Sequence, residues 1–146
     1  MDVTIRPARP ADLDRVREVT IASKAHWGYD QGFVVRWAEG LTFSSPHDRW
    51  VAEAEGVVVA WVALVAPEAG VAVLDDLWVD PVQIGHGIGT RLFRVAEERA
   101  RELGASSLEW AAEPNAVGFY EAMGGRYLRD HLSSWGRVLP VMGIDL

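Results

Sequence analysis

The spacing of apolar residues changes along this chain, and each change marks an element. Val3–Arg6 alternates apolar with polar, which predicts a first strand. Pro10 and Asp12 then open a helix, because proline suits the first helical position and an acid suits the first turn. Leu13, Val16 and Val19/Thr20 give that helix an apolar face; it runs to His26 and stops at Gly28. Gln31–Glu39 predicts a second helix ended by Gly40. Trp50–Glu55 and Val57–Ala66 read as strands joined by a tight turn at Glu55-Gly56. A turn over Pro67–Gly70 leads into a strand over Val71–Val79. After a glycine loop, Ile88, Leu92, Val95, Ala96 and Leu103 fall on one helical face, with Arg91, Arg94, Glu98 and Arg101 outside and Gly104 as cap. Ser106–Ala112 is a strand, and Pro114–Met123 is a short helix ended by Gly124-Gly125. Tyr127–Trp135 and Val138–Ile144 close the chain as an antiparallel pair. The expected order is β-α-α-β-β-β-α-β-α-β-β: one α/β domain over residues 1–146, with a mixed central sheet flanked by helices.

Composition narrows the function. The 146 residues are 49% hydrophobic, enough to bury a core. A net charge of −7 with no Lys/Arg cluster argues against nucleic-acid binding. The absence of cysteine excludes disulfides, zinc-thiolate sites and a cysteine nucleophile. The four histidines show no metal-ligand spacing, so no metal is expected. The start MDVTIRPARP lacks the pattern of a secretion signal, and no apolar run is long enough for a membrane span, so the expected location is the cytoplasm.

The chemistry concentrates in LWVDPVQIGHGIGTRL, Leu77–Leu92. Gly85, Gly87 and Gly89 let backbone N–H groups converge, and the following helix adds its free N-terminal N–H groups. This is a seat for a phosphate or pyrophosphate. The dinucleotide fingerprint G-x-G-x-x-G/A fails, because the sixth position from Gly85 is Thr90. The nucleoside-triphosphate loop fails for want of a Gly-Lys pair. The remaining candidate is a coenzyme A pyrophosphate loop of the form R/Q-x-x-G-x-G/A.

Here the sequence resembles the GNAT superfamily of N-acetyltransferases. Gly87 and Gly89 stand where that motif places them, and Leu77-Trp78-Val79-Asp80-Pro81 resembles the family's lead-in strand. Pro114–Gly125 is similar to the family's N-A-x-x-F-Y-E-x-x-G-F segment, and Ile5-Arg6-Pro7-Ala8 with Asp12-Leu13 is a similar opening. Two positions depart from the pattern: Ile84 replaces Arg or Gln, with Gln83 one residue early, and Gly125 replaces Phe.

The resemblance implies a GNAT-like sheet and acetyl-CoA as co-substrate. It places Leu77 N–H at the acetyl carbonyl, Val79 on the pantetheine arm with Trp78 also among the coenzyme-binding residues, and Gly85, His86, Gly87, Ile88, Gly89 and Thr90 around the pyrophosphate. Tyr120 resembles the family's general acid, since a phenol is about as basic as the departing thiolate. Phe119 is a core residue or a coenzyme-packing surface. Asp75 and Asp76 are adjacent on a strand, and alternation sends them to opposite faces, so one points toward the cleft, either as a proton relay or ammonium attractor or as part of a structural pair of acids. The sequence leaves open which. Asn115 either bonds the pantetheine arm or caps a helix. Trp27, Tyr29 and Trp37 are candidate walls of the acceptor pocket, for a substrate's apolar part or its cation. The reading is an acetyl-CoA-dependent N-acetyltransferase moving acetyl to a small-molecule amine by direct transfer. The alternative is a non-catalytic acyl-CoA-binding sensor or partner module. A homodimer follows only from the resemblance.

Overall fold

The computed structural model describes residues 2–44, 46–134 and 136–146. Seven strands form one sheet in the order β1-β2-β3-β4-β5-β7-β6. They are β1 Val3–Pro7, β2 Asp48–Ala54, β3 Val57–Glu68, β4 Val71–Val79, β5 Ser107–Ala111, β6 Arg126–Leu132 and β7 Val138–Asp145. Every pairing is antiparallel except β4 with β5. A parallel pair needs a crossover, and helix α3, Ile88–Glu102, supplies it. Helices α1 (Leu13–His26), α2 (Gln31–Gly40) and α4 (Val117–Ala122) complete the set. The predicted element order is the observed one.

Turn chemistry explains the hairpins. Glu55 and Gly56 have φ values of 52° and 77°, and Ala69 and Gly70 have 51° and 81°. Two consecutive left-handed residues match the twist of the flanking strands. The second turn is therefore tighter than the expected Pro67–Gly70, and β3 runs on to Glu68. Pro67 is tolerated because the β3–β4 register shifts between Val65 and Glu68, where a ladder bond is already missing.

Each sheet face carries its own core. Val16 and Val19 of α1 meet Val51, Val58, Trp61 and Ala63 on one face, and Trp61 Nε1 donates to Thr20 Oγ at 2.8 Å. On the other face Ile88, Leu92, Phe93, Ala96 and Ala100 of α3 pack over Ala52, Val62, Leu64, Leu74 and Leu108. The apolar stripe of α3 is thus rotated from the expected one: Phe93 and Ala100 are inside, whereas Leu103 at the helix end is 37% exposed. The Pro114–Met123 helix divides into a 3-10 turn, Pro114–Ala116, and α4. The strand expected over Tyr127–Trp135 ends at Leu132, and Trp135 lies outside the described residues. Among the described residues no helix is long and apolar enough to cross a membrane.

Candidate active site

The parallel ladder between β4 and β5 is short. It covers Val71–Val73 opposite Ser107–Glu109 and then stops. β5 stays with β7 as far as Ala111, while β4 stays with β3 as far as Val79. Beyond Val73 the β5-facing edge of β4 therefore has no ladder partner among the described residues, and its N–H and C=O groups face a gap. A cavity of about 580 Å³ occupies that gap. Its lining includes Leu77, Trp78, Val79, Gly85, Gly87, Ile88, Gly89 and Thr90, and on the far side Asn115, Phe119 and Tyr120.

The loop that closes one end is built residue by residue. The Asp80 carboxylate accepts from Val82 N–H at 3.2 Å, and Asp80 carbonyl accepts from Gln83 N–H at 2.8 Å. These bonds fold Pro81–Gln83 into one tight turn. Gly87, with φ of 77°, then caps α3 in the left-handed region that side-chain-bearing residues rarely adopt. The N–H groups of Ile88, Gly89 and Thr90 have no preceding turn to bond, so they remain available at the positive end of the helix. A Cβ at Gly89 would lie 3.4 Å from Phe119, so the loop and α4 approach closely here. This donor set suits a diphosphate. The His86 side chain is exposed, away from the cavity lining, with Nδ1 3.1 Å from Gln83 carbonyl oxygen, so any part it has in the loop is its backbone's.

Tyr120 is buried in an aromatic stack, with ring centres 4.9 Å from Trp110, 5.1 Å from Phe119 and 6.2 Å from Phe93. Burial, and then the charge of Asp76, hold its hydroxyl well above the usual phenol range, so it stays protonated. The Gly125 departure has its explanation in Trp110. A Cβ at Gly125 would sit 2.8 Å from the indole and 2.9 Å from Tyr120 carbonyl oxygen. A phenylalanine cannot stand there; Trp110 fills the space instead. Among the described residues the buried Trp110 Nε1 has no hydrogen-bond partner, and Trp110 lines the cavity.

The two aspartates do not point to opposite faces. Ala63 pairs with Asp76 but Leu64 pairs with Leu74, so Asp75 is an extra residue in β4. Such a bulge breaks the two-residue period. Leu74, Leu77 and Val79 pack with the α3 core and Trp78 with the α1 core. Asp75 and Asp76 line the same cavities, and both act on Arg49. Asp76 is pushed up to about 7, by burial first and then by Asp75. A bond from Trp78 Nε1 at 3.0 Å and the charges of Lys24 and Arg49 offset part of that rise.

Lys24 was not among the sequence candidates. It is a buried α1 residue lining the cavity, with Nζ 3.6 Å from the Trp37 ring centre, 5.0 Å from Trp78 and 5.6 Å from Tyr29. Burial pushes it down to about 8, against the pull of Asp76. The expected aromatic wall exists, but the cation it holds belongs to the chain. Val16, Thr20 and Lys24 share a helical stripe at four-residue spacing, the one signal that marks Lys24 as inward-facing. Trp27 also lines the cavity and meets His26 edge-on at 4.7 Å. Glu113, likewise unforeseen, accepts from Tyr29 Oη at 2.9 Å and from Asn115 Nδ2 at 2.6 Å, and Arg137 lies 3.7 Å away. It also caps the 3-10 turn through Asn115 N–H at 3.2 Å, so the capping role considered for Asn115 falls to Glu113.

A sheet that parts beside a helix N-terminus, with an acid and a phenol on one cleft, is the architecture of an acyltransferase. The Acetyltransferase (GNAT) family profile matches residues 13–125, and the chain belongs to that family, whose members use acetyl-CoA. The fold is similar to that of a GCN5-related N-acetyltransferase from Rhodopseudomonas palustris (TM-score 0.86, 23% identity, covering 100% of this chain and 97% of that one). It is also similar to PaiA N-acetyltransferase from Thermoplasma acidophilum, solved in complex with coenzyme A (0.83, 19%, 100% of both chains). The ribosomal-protein-S18-alanine N-acetyltransferase from Escherichia coli matches at 0.75 and 16%, over 99% of this chain and 94% of that one. No curated protein is similar enough in sequence to count as a match.

Proposed function

We propose that the protein transfers acetyl from acetyl-CoA directly to the amine of a small molecule. One observation carries this reading: the unpaired edge of β4, the N-terminus of α3, Tyr120 and Asp76 all open on one cavity. The bound thioester supplies an activated acetyl carbonyl. Gly87–Thr90 amides hold the diphosphate, and the free edge of β4 from Leu77 to Val79 takes the pantetheine amides as a neighbouring strand would. Leu77 N–H is the donor for the acetyl oxygen. Asp76 accepts the proton of the incoming ammonium, for which a group poised near neutrality is suited. Lys24 and Arg49 favour its ionised form. Asp75, exposed at the bulge, attracts the ammonium. Tyr120, kept protonated by its surroundings, donates its proton to the departing sulfur. The test is thiol release from acetyl-CoA against a panel of small amines. Amine-dependent release supports the proposal; CoA binding without release under any amine makes the protein a non-catalytic binder.

A further inference from the structure

A second cavity, of about 450 Å³, lies across Asp75 and Asp76 from the coenzyme cleft and shares Trp37 with it. Its charges are of both signs. Arg49 of β2 pairs with Ala63 of β3, and Ala63 pairs with Asp76 of β4. Residues directly opposite on neighbouring antiparallel strands share a face. Arg49 and Asp76 therefore stand on one face, about 10 Å apart at the backbone, with the small Ala63 between them in the register. The Arg49 guanidinium lies 4.9 Å from the Phe43 ring centre and donates to His47 carbonyl oxygen at 3.4 Å, with His47 Nδ1 3.2 Å away, so it is oriented. Arg36 adds a second cation to the rim. The aromatic cage beside this cavity already holds Lys24, which leaves the aspartates as the seat for a substrate ammonium.

From this juxtaposition we infer that the acceptor is an amino-acid-type molecule, with a carboxylate held by Arg49 and Arg36 and an amine held by Asp75 and Asp76. The inference rests on the acetyltransferase reading. A purely cationic amine would meet Arg49 and Arg36 unfavourably, whereas a zwitterion matches both ends of the cavity. A guanidinium is the complement of a carboxylate, and each charge-assisted bond is about twice as strong as a neutral one.

The experiment compares free amino acids with their amides and decarboxylated amines, in the wild type and in Arg49→Gln and Arg49→Lys. Wild type should prefer the acid over its amide by about tenfold in kcat/KM. That preference should fall toward unity in Arg49→Gln and survive in part in Arg49→Lys. Equal use of acid and amide by the wild type overturns the inference, as does a preference that Arg49→Gln leaves intact. If Arg49→Gln does not fold, the wild-type comparison decides. If CoA binds but no amine releases thiol, the acetyltransferase reading fails. Calorimetric binding of acid against amide to the CoA-loaded protein then tests the cavity separately, and equal affinities overturn the inference.

Discussion

The two sides of the cleft are built by different means. The coenzyme side is backbone: a strand edge without a partner, a glycine loop and a helix N-terminus present N–H groups whatever the surrounding side chains. The proposed acceptor side is charge: buried Lys24 and partly buried Asp76 and Arg49 each move away from their usual proton affinity because desolvation and neighbours compete. A backbone site tolerates sequence change but not conformational change. A charge site is the reverse. Substitutions should therefore separate the sides cleanly.

The largest effect is expected at Asp76. Asp76→Asn keeps the acceptor for Trp78 Nε1 but cannot take a proton, and kcat should fall about 100-fold or more with CoA affinity unchanged. The same variant should be more stable than wild type at pH 8, with most of that difference gone at pH 4. In the unfolded chain Asp76 has the ordinary value of 3.8, and in the folded chain about 7. Between these the unfolded chain has released a proton that the folded chain retains, so stability falls as pH rises through that window and levels off above it. Thermal unfolding at the two pH values reads the difference. Tyr120→Phe comes next: turnover should drop by about 30-fold while CoA affinity, measured by calorimetry, stays near wild type.

On the backbone side, Gly87→Val places a β-branched residue at φ of 77°. That strain, on the order of 1–3 kcal/mol, should weaken CoA binding by about tenfold or more and leave the pH dependence of the remaining activity unmoved. The smallest effect sharpens the charge side. Lys24→Met removes a cation that favours ionised Asp76. The rising limb of the pH–rate profile, near pH 7 in the wild type, should then move upward by about half a unit to one unit, with CoA affinity unchanged.

The same contrast governs what the sequence made legible. Strands and helices were readable because glycines such as Gly56, Gly70, Gly87 and Gly104 mark their boundaries at left-handed positions. The loop was readable because a backbone site leaves its signature in glycine spacing, and the Phe119-Tyr120 pair because it stands in a contiguous segment, Asn115–Glu121, similar to the family's. The acceptor side was not. The β4 bulge inserts one residue opposite Leu64 and Ala63, and this turned Asp75 and Asp76 to one side where alternation separates them. Two acids in the middle of an apolar strand were the visible trace of that break. Arg49 joins Asp76 only through the register of three strands, a long-range fact that no local pattern contains. Glu113 acquires its role from Tyr29 and Arg137, both distant in sequence.

The proposed function requires that the Gly87–Thr90 amides and the parted edge of β4 seat coenzyme A with its sulfur beside Tyr120. The structure of the CoA complex tests it most directly. The diphosphate should lie within hydrogen-bonding distance of the Ile88, Gly89 and Thr90 amides, and the thiol between Leu77 and the Tyr120 hydroxyl. A diphosphate bound elsewhere, or a thiol directed away from Tyr120 and Asp76, would contradict it.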